Sequence, residues 1–348
     1  MAAMIRLSLP RLRASSATPL ERAAAAALLL TVVAGAPVSA QSAPFGPLTA
    51  EEGSPLQRVT YTHVMEGAEV TPHGTFTGDL WLGYSNVFEQ DSSATHVLFL
   101  DFERLITAAT VRWGVTEGLE VGGRVTLETT GGGVLDGFVS WWHNRLNLGN
   151  ANRDKYPQDQ YAQRLVDRTG NVRLDAPSRF MALEDVRLFA KYRVYESEDR
   201  RRLLSVRGAV RIPTQDNGVS RERTDVALML LGQTTWGPVY LHGMLGAGTL
   251  RATPDLDPML RDASAFFTVA AEYPLAPWVS GVLQYSVASP TTQGFGDSEI
   301  DSPPMNIVFG LSGRMGDTWR WDASFQEDIP ADTPAVDFTL GLRLSRSW

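Results

Sequence analysis

Val336-Asp337-Phe338-Thr339-Leu340-Gly341-Leu342-Arg343-Leu344-Ser345, running on to Trp348, is the stretch whose reading decides the fold. Val336, Phe338, Leu340, Leu342 and Leu344 alternate with Asp337, Thr339, Gly341, Arg343 and Ser345. A period of two places the first set on one face of a β-strand and the second on the other. The pattern recurs upstream: Leu119, Val121, Val125 and Leu127 against Glu120, Arg124, Thr126 and Glu128, and Val186, Leu188, Tyr192 and Val194 against Asp185, Arg187, Lys191 and Arg193. Leu204, Val206, Val210 and Ile212 stand in the same relation to Ser205, Arg207 and Arg211. Each strand therefore has an apolar side and a wet side.

The spacing of turn signals says how such strands connect. Tight turns are expected at Thr116-Glu117-Gly118, Ser197 to Arg201, Trp236-Gly237-Pro238, Pro274 to Pro277 and Met315-Gly316-Asp317, with longer polar connections between them. Short turns on one side and long loops on the other are the asymmetry of outer-membrane barrels. A soluble β-sandwich also alternates, but has no need of that asymmetry. The expectation is an all-β chain: a transmembrane antiparallel β-barrel of about twelve strands, with one helix-bearing outer loop over 131–180. From Thr95 to Val115 the apolar parity changes, from Leu98, Leu100 and Phe102 to Leu105, Ala109, Val111 and Trp113. A bulge in one strand is the favoured explanation. A hairpin near Glu103, with Leu56 to Val64 as a further strand, would make the total fourteen.

The chain has 348 residues and no Cys, which excludes disulfides, thiolate metal sites and lipid anchoring through a cysteine. Arg6, Arg11, Arg13 and Arg22 precede an apolar run from Ala23 to Ala36, and Val38-Ser39-Ala40 offers small residues for cleavage, so residues 1–40 read as a secretory signal. That run falls short of the roughly 20 residues a membrane-spanning helix needs. Removing the leader's four Arg and one Glu takes the formal charge from −8 to −11. An acidic chain of this kind argues against nucleic acid as a partner. Residues 41–55 are expected as a periplasmic segment and 56–348 as the barrel. No later run is apolar enough for a helical span, which leaves a closed sheet as the way to pair every backbone group in lipid.

The terminal strand, with Phe338, Leu340, Leu342, Leu344 and Trp348 on one face, resembles the assembly signal of Gram-negative outer-membrane barrels. The resemblance implies the barrel-assembly machinery, outer-membrane lipid and lipopolysaccharide as partners. Phe45-Gly46-Pro47-Leu48, Gly83-Tyr84-Ser85-Asn86, Gly118-Leu119-Glu120-Val121-Gly122, Leu135-Asp136-Gly137-Phe138 leading into Trp142-His143, and Gly149-Asn150-Ala151-Asn152-Arg153-Asp154 with Pro157 and Tyr161 resemble the domain of unknown function 3187 family of Gram-negative outer-membrane proteins. Asn150-Ala151-Asn152-Arg153 departs from that family's Asn-Gly-Gly-Arg form. The family implies a barrel and no established activity.

Candidate functional residues follow from the wet faces. Glu120, Arg124, Glu128, Arg187, Lys191, Arg193, Arg207, Arg211, Glu272, Asp337 and Arg343 are expected to face the lumen. There they would either select a small anionic or zwitterionic solute or pair across a filled interior. Leu135, Phe138, Trp141, Trp142 and Leu146 recur at helical spacing with His143 among them; the favoured reading is a plug or cap, and the helix could instead lie at the outer interface or pack on the loop's own polar remainder. The leading function is a narrow pore or uptake protein for small solutes. The alternatives are a non-conducting structural or surface-binding barrel, and an envelope-lipid hydrolase with His143, near Ser140, as base. Asp297, Glu299 and Asp301, or Asp255, Asp257 and Asp262, lack calcium-loop spacing, so no metal or cofactor is expected.

Overall fold

The computed structural model describes residues 44–58, 61, 63–146, 153–214, 224–249, 259–296, 300–328, 334, 336 and 338–348, with the side chains of Leu146 and Pro213 outside that description. The leader and Asp337 also lie outside the described residues. A one-turn helix α1 (Pro55–Arg58) is followed by β1 (Phe76–Ser92), β2 (His96–Gly114), β3 (Leu119–Gly131), helix α2 (Asp136–Leu146), and the short strands β4 (Ala162–Asp167) and β5 (Val172–Asp175). Then come β6 (Arg179–Glu196), β7 (Leu203–Pro213), β8 (Asp225–Trp236), β9 (Val239–Thr249), β10 (Ala263–Ala276), β11 (Val279–Ala288), β12 (Met305–Met315), β13 (Trp319–Asp328) and β14 (Phe338–Ser347). All pairings between these strands are antiparallel, β3 pairs directly with β6, and β1 pairs with β2 and with β14, from Thr77↔Ser347 to Asn86↔Phe338. The sheet has fourteen strands, but the closed ring has twelve; β4 and β5 are a hairpin that continues the wall beside the upper part of β2.

Short turns gather at one end, with Gly237 and Gly316 at φ 57° and 66° where an L side chain would be strained. Loops of eight residues or more, the 132–178 stretch the longest, lie at the other end, apart from the tight 93–95 turn. Leu188, Ile212, Leu228, Leu245, Leu311, Leu340, Leu342 and Leu344 are exposed on the outer face, which is tolerable against hydrocarbon. Phe76, Trp113, Trp236, Trp278, Trp319 and Trp348 ring the short-turn end, amphipathic aromatics at a membrane interface. Trp81 differs from these: it points inward, and its indole lies so close over Gly83 that a Cβ there would come within 2.3 Å of the ring.

The parity change in β2 has a different cause from the expected bulge. Its registers with β1 and β3 run without a shift. Leu98, Leu100, Phe102, Arg104, Ile106 and Ala108 are all buried and occupy one inward face. The strand rises beyond the lipid belt, and there the inner side becomes apolar. Leu98, Leu100 and Phe102 join Leu56, Val87, Leu165, Leu174, Phe295, Ile300 and Val336 in a cluster at the loop end.

The lumen is filled by the chain's own N-terminal part. The described residues of the expected periplasmic segment do not stay outside the barrel, and the described residues between Leu56 and Val64 do not add a strand. The described residues of 44–72 instead form a strap that climbs through the ring and returns. Its ascent begins where Glu272 near the end of β10 accepts the Phe45 and Gly46 N–H groups at 2.8 and 3.0 Å. Glu52 then accepts Asn306 Nδ2 and Val336 N, both at 2.8 Å, near the loop end. At the apex Ser54 caps α1, its carbonyl accepting Gln57 N and Arg58 N, with Pro55 at the first helical position where its missing N–H costs nothing. On the descent Ser205 Oγ donates to Ala68 O at 2.5 Å and Thr71 N donates to Glu120 at 2.8 Å. The strap leaves past Gly114, where a Cβ would meet Pro72 O at 2.0 Å.

Candidate functional site

Basic residues on β3, β6 and β7 form one side of the lumen, and two strap carboxylates answer them. Glu51 lies 3.0 Å from Arg124, 3.0 Å from Arg187 and 3.2 Å from the strap's own Arg58. Glu66 lies 3.4 Å from Arg207, 3.6 Å from Arg112 and 3.8 Å from Lys191. Buried charges are tolerable when paired and hydrogen-bonded, and a charge stripped of its partner is costly. An apolar cluster adjoins them: Leu48, Tyr61, Met65 and Ala68 of the strap pack with Phe189 of β6 itself and with Met229, Met244, Phe266 and Val282 of β8 to β11. The strap therefore makes two kinds of contact, ionic with Arg112, Arg124, Arg187, Lys191 and Arg207 and apolar with the neighbouring cluster.

The remaining predicted lumen residues among those described are inward and engaged, while Asp337 lies outside the described residues. Glu120 accepts Thr71 Oγ1 at 2.6 Å and pairs with Lys191 at 3.3 Å; Glu128 pairs with Arg104 at 3.0 Å. Arg211 meets Asp185 at 2.5 Å and Asp225 at 3.5 Å, and Arg343 meets Asp322 at 2.8 Å and Asp79 at 3.9 Å. Glu272 also faces His242 Nε2 at 3.2 Å. Arg193 sits at the short-turn lip, bonded to Glu117 O at 2.6 Å and Glu196 at 3.0 Å. Glu51, Glu66, Arg58, Arg104, Arg112, Asp79 and Asp322 were not on the predicted site. Arg104 and Arg112 carry a usable signal, the inward parity of β2 read straight through. Glu51 and Glu66 carry none, because their segment is aperiodic and interrupted by Pro47 and Pro55.

Free space is distributed unevenly. Cavities of about 200 and 520 Å³ lie towards the short-turn end, between the strap and residues such as Arg320, Ser347, Arg193 and Arg201. Higher up, beside Arg58 and beside His63, the cavities shrink to about 20 and 30 Å³, room for about one or two waters. Beyond them stands the apolar cluster.

The predicted plug or cap helix docks on the outside. Phe325 pairs in register with the outward Leu340, and Glu327 with Phe338, so all four share the lipid-side face. Phe138 of α2 stacks edge-on against Phe338 with centroids 5.4 Å apart, and Trp142 lies 5.1 Å from Phe325. His143 Nε2 is 3.0 Å from Glu327 Oε1, and the residue is buried between helix and wall. Trp141 is exposed. Asp136 ties the helix start to the barrel by accepting Asn86 Nδ2 and Arg153 Nη1, each at 2.7 Å, and Asp159 N at 2.8 Å. Glu103 accepts Tyr84 Oη and Leu135 N beside it. Leu135 leads into the helix, and the Leu146 side chain is outside the described residues. Of the candidate acidic loops, Asp255, Asp257, Asp297 and Glu299 are outside the described residues, while Asp301 accepts Gly296 N at 3.1 Å.

The barrel is similar to known outer-membrane structures. The COG4313 outer-membrane channel from Pseudomonas putida F1 superposes with a TM-score of 0.51 at 14% identity, covering 81% of this chain and 98% of that one. The NanC porin gives 0.44 at 8% identity over 77% and 98% of the two chains. The translocator domain of the autotransporter NalP from Neisseria meningitidis gives 0.40 at 10% identity over 80% and 89%. At such identities the likeness is one of fold. No curated protein matches the sequence. A family model described as a protein of unknown function (DUF3187) matches residues 25–348, nearly the whole chain, and the chain belongs to that family.

Proposed function

We propose that this protein is an outer-membrane channel or uptake protein for small solutes, with its short turns in the periplasm, closed in this structure by the 44–72 strap. The observation that carries the reading is the content of the lumen: a separate segment fills it, and much of its grip is ionic and compatible with water. If the strap withdraws, Glu51 and Glu66 leave with it. Arg112, Arg124, Arg187, Lys191 and Arg207 would then line the passage with a surplus of positive charge, which favours small anions. The basic arc and the predicted structural pairing thus belong to two states of one lumen.

The apolar contacts of Leu48, Tyr61, Met65 and Ala68 favour a second reading, in which the strap is a permanent core for a ring too wide to be filled by its own side chains. A reversible crosslink separates the two. The chain has no Cys, so Ala68→Cys with Ser205→Cys introduces one possible disulfide where Ser205 Oγ already touches Ala68 O. In planar bilayers the reduced form is expected to pass anion-selective current and the oxidised form to be silent. Silence in both forms supports the permanent core. Equal current in both removes the strap as the gate.

A further inference from the structure

The outer flank holds a second enclosure that the lumen does not use. Between α2, the helical turn Arg153–Lys155 and the outward faces of β1 and β2 lies a cavity of about 230 Å³, lined in part by Phe88, Asp101, Asp136, Ser140, Arg153 and Tyr156. Asp101 is 2% exposed and opens into it, and among the described residues nothing hydrogen-bonds or ion-pairs with its carboxylate. The one guanidinium of the described lining is already engaged. Arg153 is held by Asp136 at 2.7 Å and lies over the Phe88 ring at 4.7 Å. Asp136 is occupied by Asn86, Arg153 and the Asp159 N–H. A buried carboxylate gains from a hydrogen-bond donor, so a ligand that donates to Asp101 would be held in this cavity.

The surroundings say what would complete it. Phe88, Phe99 and Tyr156 form an aromatic trio, with centroids 5.6 Å apart for Phe88 and Tyr156 and 5.2 Å for Phe99 and Tyr156. The lining carries Asp101, Asp136 and Asp154 against the single guanidinium of Arg153, an excess of negative charge that repels anions. Aromatic faces beside carboxylates suit a cation with a carbon skeleton better than a bare or hydrated ion. We propose that this outer-flank cavity binds a small organic cation bearing a primary ammonium, which donates to Asp101 while its carbon chain rests on Phe88 and Tyr156.

The test is calorimetric titration of the full leader-free protein in detergent with putrescine, and with glucose as a neutral hydroxyl donor of similar size. Putrescine is expected to saturate a single site and glucose to give no saturable heat. Asp101→Asn keeps the shape of the side chain and is expected to weaken putrescine by at least about tenfold, with an unchanged heat-modifiable gel shift reporting an intact barrel. Asp154→Asn, on the exposed rim, is expected to weaken it by about two- to threefold. Absence of saturable putrescine binding overturns the proposal, as does equal binding of glucose or undiminished affinity in Asp101→Asn. Should Asp101→Asn fail to fold, undiminished affinity in Asp154→Asn overturns it instead.

Discussion

Two pieces of the chain lie against opposite faces of one wall and are held by different chemistry. The strap lies inside, with Glu51 and Glu66 each set among three cations and its apolar residues packed on the adjoining β6 to β11 cluster. Helix α2 lies outside, with Phe138 and Trp142 on Phe338 and Phe325 and a short polar hinge at Asp136. The difference follows from what each face meets. Outside the wall is apolar because it meets lipid, so whatever docks there uses rings. Inside, strand charges are sealed from bulk water, so whatever fills the lumen must bring counter-charges. Amphipathicity marks a segment as needing a partner, but it does not say which side of the sheet supplies one.

The largest effect is expected inside. Glu51→Ala removes the single salt bridge of Arg124 among the described residues and weakens those of Arg187 and Arg58, for a loss of about 4 kcal/mol. Thermal unfolding followed by heat-modifiable gel mobility measures it, and a loss below that of any outer-flank variant would reverse the comparison. Phe338→Ala takes away the ring beneath Phe138 and is expected to cost about 3 kcal/mol of helix docking. Limited proteolysis within 132–161 should increase while bilayer current stays at the wild-type level; a change in current would show that the two faces are coupled. Gly83→Ala forces the Trp81 indole off its place and is expected to cost about 2 kcal/mol. Since Arg124 lies 5.6 Å over that ring, near-UV circular dichroism should report the shift and a cycle with Glu51→Ala should be non-additive.

The smallest effect lies away from both regions, in the β4–β5 turn. The Asp167 carboxyl is held well below its usual range by hydrogen bonds from Thr169 and Asn171. Because the folded value is depressed, the contribution is present above about pH 4, the unfolded value, and is lost as pH falls through the lower folded one. Amide exchange in the hairpin should stay protected at pH 4 and give way on further acidification. Asp167→Asn should remove that pH dependence and leave strap and helix unchanged.

Much of the barrel is legible in the amino-acid order. Leu340, Leu342 and Leu344 against Thr339, Gly341 and Arg343 name the outer and inner sides of the closing strand, and the turns at Gly237 and Gly316 fall where tight reversals were expected. Arg187, Lys191, Arg207 and Arg211 are inward as their parity requires. The change of apolar parity in β2 misleads, because Leu98 and Phe102 are inward residues meeting an apolar cap rather than lipid-facing residues displaced by a bulge. The spacing from Leu135 to Trp142 announces a helix and leaves its docking side open.

Alternation and turn chemistry are local, carried by residues a few positions apart, and they sufficed to establish a closed sheet with a wet interior. The partners of that interior are not local. Glu51 reaches Arg187 across 136 positions, Phe45 reaches Glu272 across 227, and His143 reaches Glu327 across 184. No period in the sequence encodes such separations. They exist because closing the ring brings β3, β6 and β7 around the strap and sets β13 and β14 beneath α2, and so the folded barrel alone assigns one segment to the lumen and the other to the outer face.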